Sequence, residues 1–339
     1  MRINATQGLR GLALRGSPRS APCPVPSQAV PFARGVAAAL LMGTLLVLAT
    51  PARAETLYSI SRDGDQLRII SPVDGTTIGV PLRITFPDSP GSVVFGGNGL
   101  ASDPLTDDLY ALVRISEGFP PNRWLVTIDP ASGDSTFVGD TGEKFAGLAF
   151  DSGGTLYAVS GDNAPMPEEL DTLSLSDGAV MREALYTLSL SDGTPTLVTS
   201  LGNGGQGEAI GFNFADGFLY HASGLLEPDE PDSRVFEKID LDALEVTDIP
   251  LSGDNYSEIT ALVFSGDRFL AADILPADNQ VDRAAVFMSI TDAGVVNVAS
   301  SMDHVAKGMA FVPEPPKSLL LLAALGQLAV LHRLRRQRR

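Results

Sequence analysis

Short apolar runs recur along the chain in a fixed order, separated by polar turn residues. A unit opens with a run such as residues 147–150 (Gly-Leu-Ala-Phe), and a second run such as 156–159 (Leu-Tyr-Ala-Val) follows it. The turn at 151–154 (Asp-Ser-Gly-Gly) is typical of a β-hairpin loop. Two more short runs, in which apolar and polar residues alternate, complete each unit. The body of the chain lacks the sustained 3.6-residue apolar period of helices, so the pattern predicts an all-β fold.

This unit occurs five times. Its opening run is found at 99–101, 147–150, 211–214, 261–264 and 308–311. The spacing between successive starts is nearly constant, except for one longer interval between the second and the third. Four short strands at a period of about 48 residues are typical of a blade of a β-propeller. We therefore predict a propeller of five four-stranded blades.

The first and last copies complete each other. Residues 57–60 match the second strands of other units, and no first strand precedes them, whereas 308–312 match a first strand without a unit behind it. If these two runs pair, one strand from each end of the domain closes the ring and leaves no open edge there. Residues 82–94 fit the template poorly, so a sixth, degenerate blade stays an open alternative.

The long interval contains a near-copy of itself. Residues 170–178 closely match residues 185–193, and removal of one copy restores the ordinary period, so the excess is typical of a tandem duplication. We predict that the second copy is the third strand of its blade, because Tyr186 suits a core position that Asp171 does not. The first copy is predicted to form a loop or an extra hairpin.

Residues 1–54 have the features of an export signal. They contain six arginines and no acidic residue, and an apolar run at 35–49 leads to a small-x-small cleavage site formed by Ala52 and Ala54. The mature chain is then expected to begin near Glu55. Cys23 is the only cysteine of the chain. The exported part is therefore expected to have no disulfide or thiol chemistry.

Removal of both ends changes the charge balance. The whole chain has a formal net charge of −17. Six basic residues lie in the leader and six lie at or beyond Lys317, so residues 55–316 keep 12 basic residues against 41 acidic ones, a charge of −29. Such a surface favours solubility, as in many extracellular domains, and repels nucleic acid and anionic lipid. Divalent cations are its natural counter-partners.

The C-terminus has three parts in order: a Pro-Glu-Pro sequence, an apolar run at 319–331 and a cluster of arginines. The basic end is expected to remain in the cytoplasm, which places the body outside. As a helix, the run would cover roughly 20 Å of the ~30 Å hydrocarbon core, and snorkelling of Lys317 and the arginines could close the gap. A C-terminal core helix is disfavoured, because the leucines at 319–322 leave no polar face.

This order resembles the PEP-CTERM sorting signal, which membrane enzymes of the exosortase type in Gram-negative bacteria recognise and remove. The matching positions are Val312, Pro313, Glu314, Pro315, Arg333, Arg335 and Arg336. The resemblance implies export, a transient anchor in the inner membrane and a final place at the cell surface or outside it. It also implies extracellular polysaccharide or matrix proteins as partners. The predicted domains are the signal peptide with its basic leader (1–54), the propeller (55–312) and the sorting signal (313–339).

The body is also similar to bacterial propellers with LYxIDPxxGxxTxVGxTG units, at residues 124–142 and 185–202. This repeat grammar is specific for a fold and says little about function. Motifs for chemistry are scarce: outside the tail there are two histidines and no cysteine in the body, and neither a Gly-x-Ser-x-Gly elbow nor a Walker lysine is present. A histidine-based zinc site is not expected.

One set of polar residues shares a position in the repeat, three or four residues before the innermost strands. Its members are Glu143, Glu208, Glu258 and His304. In a propeller these positions lie at one mouth of the central channel, where carboxylates could hold Ca²⁺ or serve a metal-assisted hydrolase. They equally suit the solvated ends of connecting loops.

We therefore predict an exported, acidic propeller that is a binding or structural protein of the cell surface or matrix. A Ca²⁺-dependent hydrolase or a lactonase-like propeller enzyme is the alternative.

Overall fold

The computed structural model describes residues 55–115, 123–161, 183–201, 209–223, 234–254, 258–274 and 285–313. Within these ranges every regular element is a β-strand. They contain no helix long and apolar enough to cross a membrane. The predicted leader with Ala52 and Ala54, Glu208, the first copy of the duplication and the tail from residue 314 onward lie outside the described residues.

The strands fall into consecutive groups along the chain. The first group is β1 (Glu55–Ser61), β2 (Gln66–Ile70) and β3 (Thr77–Arg83). The second is β4 (Val94–Ser102), β5 (Leu109–Ile115), β6 (Trp124–Ile128) and β7 (Ser135–Asp140). The third is β8 (Phe145–Phe150), β9 (Leu156–Ser160), β10 (Ala184–Leu188) and β11 (Pro195–Ser200). The fourth is β12 (Ala209–Asn213), β13 (Phe218–Ser223), β14 (Val235–Asp240) and β15 (Glu245–Asp248). The last is β16 (Ser252–Gly253), β17 (Ile259–Phe264), β18 (Phe269–Ile274), β19 (Ala285–Ile290), β20 (Val295–Met302) and β21 (Ala306–Pro313).

These strands form five sheets in the described part of the chain, and each sheet is one blade. The innermost strands are β21, β4, β8, β12 and β17, and each contacts the next around a central axis. The prediction of an all-β propeller with five four-stranded blades is confirmed. Blade 5 has one addition that the repeat did not predict, because β16 pairs in parallel with the outer strand β20.

Blade 1 contains strands from both ends of the described fold. β21 pairs antiparallel with β1, with Leu57 opposite Phe311, Ile60 opposite Gly308 and Glu55 opposite Pro313. The sheet order is β21-β1-β2-β3. The innermost strand of the first blade is therefore the last strand of the described chain.

The stretch at 82–94 connects blades 1 and 2. Ile84 and Phe86 are buried in the core between these blades, and the Phe86 ring stacks on the ring of Phe137 with centroids 4.1 Å apart. No sixth sheet occurs in the described residues. The stretch departs from the strand template because its side chains pack between two blades instead of within one.

The duplication is resolved for its second copy. β10 is the third strand of blade 3, where Tyr186 is buried and its ring meets that of Phe145 edge-on at 5.1 Å. This confirms that the second copy supplies the strand.

Small residues let the innermost strands pack closely around the central axis of the propeller. A Cβ added to Gly308 would lie 2.5 Å from the backbone nitrogen of Leu100, which is closer than real Cβ atoms approach. The cavity on the axis, lined by Gly99, Gly147 and Gly308 among others, is only about 10 Å³. That is at the lower limit for one water molecule, so the central channel does not connect the two faces for a solute.

Candidate functional site

A cavity of about 450 Å³ lies where the innermost strands end, and we call it the vestibule. The ends of all five innermost strands line it, together with Glu55 and Pro313. Its volume falls within the range of ligand pockets, roughly 300–1,000 Å³. The vestibule is thus a concave site large enough for a small ligand.

The repeat itself supplies the aromatic lining. The fourth residue of the opening run is phenylalanine in four blades, and these residues are Phe150, Phe214, Phe264 and Phe311. The innermost strands of the five blades surround the central axis and run in the same direction. A residue type that recurs at one position of these strands therefore forms a circle of side chains around the axis. Phe214 is 56% exposed, whereas Phe150 is buried. In blade 2 the equivalent residue is Ser102, which gives the ring one small, polar member.

The charged groups of the vestibule are all acidic. Glu55, Asp103 and Asp107 belong to its described lining, which includes no lysine or arginine. Asp103 is held in place by the hairpin that it caps, because its carboxylate accepts hydrogen bonds from the backbone nitrogen of Leu105 at 2.8 Å and the hydroxyl of Thr106 at 3.1 Å. The site suits a ligand with an apolar body and a cationic or hydroxylated end.

The described members of the predicted cation-binding set, Glu143, Glu258 and His304, precede the innermost strands and therefore lie at the opposite ends of these strands from the vestibule. Glu258 precedes β17, and its carboxylate accepts a hydrogen bond from Lys307 of the neighbouring inner strand at 3.3 Å. Both side chains are mostly buried, with 16% and 12% exposure. The charge of Glu258 is therefore already balanced by the protein.

Glu143 and His304 have different surroundings. Glu143 precedes β8, and burial raises the pKa of its carboxyl group. The ring of His304 packs against blade 1, where its Nδ1 donates to Asp303 and its Nε2 accepts from the hydroxyl of Ser59, both at 2.9 Å. Burial and the charge of Arg68 lower the pKa of His304, although the hydrogen bond to Asp303 opposes this.

The described residues contain no group of three or more His, Cys, Asp or Glu side chains that could hold a metal ion. Glu208, the fourth member of the predicted set, lies outside them. Calcium binding and the hydrolase alternative therefore stay predictions.

A buried charged cluster joins blades 3 and 4. The Nδ1 atom of His221 donates to the carboxylate of Glu237 at 2.9 Å, and its Nε2 atom lies 3.7 Å from the carboxylate of Glu183. The hydroxyl of Ser223 donates to the second oxygen of Glu183 at 3.1 Å. Burial lowers the pKa of His221, but the two carboxylates outweigh burial and raise it above its ordinary value. The histidine is therefore the cation of an internal ion-pair triad.

Neither the triad nor the vestibule was predicted from the sequence. The vestibule had a signal, the phenylalanine repeated in the opening runs. The triad had one too, since His221 stands where other second strands have Ser59 or Ala111, and Glu237 stands where other third strands have Val126 or Tyr186. Polar residues at two core positions that face each other across a strand pair indicate a buried pair.

Comparison with known proteins adds no family. No family model and no curated protein matches the sequence. Similar solved structures include TolB from Acinetobacter baumannii, at 12% identity over 80% of this chain and 70% of that one, with a TM-score of 0.42. A provisionally named TolB from Agrobacterium tumefaciens is 12% identical over 77% of this chain and 91% of that one, with a TM-score of 0.44. A provisionally named exo-beta-1,3-galactanase from Bifidobacterium bifidum s17 is 14% identical over 71% of this chain and 89% of that one, with a TM-score of 0.43. Likeness at this level carries no argument about what the chain does.

Proposed function

We propose that this protein is an exported binding protein of the cell surface or matrix, which an exosortase-type enzyme sorts and processes through the PEP-CTERM-like tail. Its ligand site is the vestibule. The rings of the repeated phenylalanines offer apolar faces for sugar rings or acyl groups, and the carboxylates accept hydrogen bonds from hydroxyl groups. Polysaccharide of the extracellular matrix is the proposed ligand class.

The pairing of β1 with β21 carries the proposal. β1 begins at Glu55, next to the predicted leader cleavage site, and β21 ends at Pro313, inside the predicted sorting motif. These two residues lie opposite each other in blade 1. The residues next to the two predicted processing sites therefore lie side by side in blade 1.

Processing can be tested by replacing Pro313, Glu314 and Pro315 with alanine in a Gram-negative host that has the processing enzyme. We expect export to continue and the tail to be retained. Mass spectrometry of the protein from each cell fraction measures both outcomes. The matched control is Pro316→Ala, which changes the adjacent proline outside the motif. Normal removal of the tail from the triple variant would refute the sorting proposal.

Binding can be tested with the described domain, residues 55–313, against matrix polysaccharide purified from the same host. Phe214→Ser removes an exposed ring from the vestibule, whereas Leu105→Ser removes an exposed apolar side chain on the same face that does not line it. We expect the first change to weaken binding about tenfold, as for the loss of an interface side chain worth about 1.4 kcal/mol, and the second to leave it unchanged. Equal effects would exclude the vestibule as the site.

A further inference from the structure

The vestibule has an acidic side. Asp103 and Asp107 belong to the turn between β4 and β5 of blade 2, and Glu55 belongs to β1 of the adjacent blade 1. The carboxylates of the described lining therefore come from two neighbouring blades. Blade 2 is also the blade whose opening run ends in Ser102 instead of phenylalanine. The position of the circle that has no aromatic ring is thus the one beside the carboxylates.

The aromatic side lies across the cavity. The innermost strand of blade 2 lies between those of blades 1 and 3, so blades 4 and 5 lie on the far side of the axis. These two blades contribute Phe214 and Phe264 to the lining. Phe214 is 56% exposed, and the ring of Phe212 meets its ring edge-on with centroids 5.1 Å apart. A ligand that fills the vestibule therefore meets carboxylates at one end and an exposed ring at the other.

The charge of the acidic side favours a cation. The described lining includes neither lysine nor arginine, and Asp103 is only 5% exposed, so water screens its charge weakly. The hydrogen bonds from Leu105 and Thr106 already fix its carboxylate, and a carboxylate has lone pairs for further donors. The body as a whole, at −29, also attracts cations and repels anionic polymers. A polysaccharide rich in carboxylates is thus a poor match for this site.

We propose that the vestibule selects polysaccharides that carry free amino groups. The protonated amine of one sugar residue pairs with Asp107 and Glu55, and the face of a sugar ring packs on Phe214 across the cavity. The inference rests on the proposed function, because it names the class of polysaccharide that the vestibule binds. An ammonium group donates up to three hydrogen bonds, and charge-assisted bonds of this kind are roughly twice as strong as neutral ones.

Three sugar trimers with the same β-linkage separate the charge from the ring contact. The glucosamine trimer carries amines, the glucose trimer has hydroxyl groups in their place, and the N-acetylglucosamine trimer has uncharged amides. In calorimetric titration of the purified full chain, we expect the glucosamine trimer to bind at least about fivefold more tightly than either of the others, because only its amines are charged. Equal affinity for the three trimers would overturn the proposal.

Asp107→Asn tests the acidic side without a large change in shape. Asparagine, like aspartate, is tolerated at the positive φ of 67° found at this residue. We expect the preference for the glucosamine trimer over the glucose trimer to fall at least about threefold. Glu55→Gln, a second variant at an exposed strand end, should lower the preference in the same direction. A preference that neither variant lowers would overturn the proposal.

Asp242→Asn is the matched control for general attraction by the acidic surface. Asp242 is exposed in the turn between β14 and β15, at the same face as the vestibule, and it does not belong to the lining. The change removes the same charge, so we expect it to leave the preference unaltered. An equal loss of preference in Asp107→Asn and Asp242→Asn would assign the selectivity to the surface charge and would overturn the proposal.

Phe214→Ser keeps this inference separable from the proposed function. It removes the ring and should weaken all three trimers alike, so the preference for the amine should remain. Trimers that bind equally to the parent chain and all lose affinity in Phe214→Ser would overturn the amine selectivity while supporting the vestibule as the ligand site. A preference for the amine that Asp107→Asn abolishes would support the inference, whichever natural polysaccharide the host supplies.

Discussion

The triad between blades 3 and 4 makes the stability of the fold depend on pH in a direction that can be worked out. The folded pKa of His221 is raised above 6.5, so between 6.5 and that value the folded protein binds a proton that the unfolded protein has lost. The stabilisation is fully present below the unfolded pKa and is lost as the pH rises through the folded pKa. For one proton, the free energy of unfolding falls by up to about 1.4 kcal/mol per pH unit within this window.

His304 is expected to change the stability with pH in the opposite direction, so it serves as an internal control for His221. Its folded pKa is lowered, so between that value and 6.5 the unfolded protein binds the extra proton, and the free energy of unfolding rises with pH. Because His304 acts below pH 6.5 and His221 above it, the two contributions separate along the pH axis. His304→Gln should therefore remove the rise at low pH and leave the decline at high pH.

His221→Gln tests the magnitude. It leaves two carboxylates, each at most 1% exposed, without the cation between them, and removal of one partner from a buried ion pair costs about 3–5 kcal/mol. Adding Glu183→Gln and Glu237→Gln should restore much of the stability and abolish the decline above pH 6.5, because no charge remains buried.

Urea denaturation between pH 5 and 9, followed by the fluorescence of Trp124, measures these free energies by linear extrapolation. Trp124 is the only tryptophan of the chain, so the signal has a single source. A cost below about 1 kcal/mol for His221→Gln at pH 7.5, or an unchanged decline in the triple variant, would refute the assignment of His221 as the buried cation.

Three further predictions concern the innermost strands. Gly308→Ala should lower the free energy of unfolding by about 1–3 kcal/mol, because the new Cβ would meet the backbone of β4. The control, Gly153→Ala in an exposed turn, should lower it less. Thermal melts in which Gly153→Ala is the less stable variant would contradict this prediction. Thr260→Val should lower the free energy of unfolding, measured by urea denaturation, by about 1–2 kcal/mol, because it removes a 2.6 Å hydrogen bond to a buried carbonyl of β21. An unchanged free energy would show that this hydrogen bond does not stabilise the fold. A double-mutant cycle of Glu258→Gln and Lys307→Met should give a coupling of about 1 kcal/mol that weakens with salt, and zero coupling would free Glu258 for other roles.

The repeat grammar predicted the strands because each blade buries the same positions. Second strands such as 156–160 place Leu156 and Ala158 in the core, and a hairpin with Gly154 at positive φ connects them to the strand before. The addition of β16 to blade 5 was not predictable in this way. It pairs through two residues, Ser252 and Gly253, whose side chains carry no apolar pattern.

The sequence repeat does not predict which side chains contact each other between neighbouring blades. The residues of the triad, Glu183 and Glu237 with His221 between them, come from two blades. Alternation places His221 and Glu237 at core positions, but the packing of blade 3 against blade 4 decides which further carboxylate meets the imidazole. Sequence alone can therefore predict that a polar residue is buried and cannot predict its partner across a blade interface.

The two faces of the ring differ because the innermost strands all run in the same direction. A residue repeated at the end of the opening run, such as Phe150, gathers at one face, whereas a residue repeated before the run, such as Glu143, gathers at the other. The small residues of the axis close the passage between these faces, so a ligand of one face does not reach the other. The first and last described residues, Glu55 and Pro313, line the vestibule. Pro313, the first residue of the predicted Pro-Glu-Pro sequence, therefore lies at the vestibule face, whereas Glu143, Glu258 and Lys307 lie at the other face.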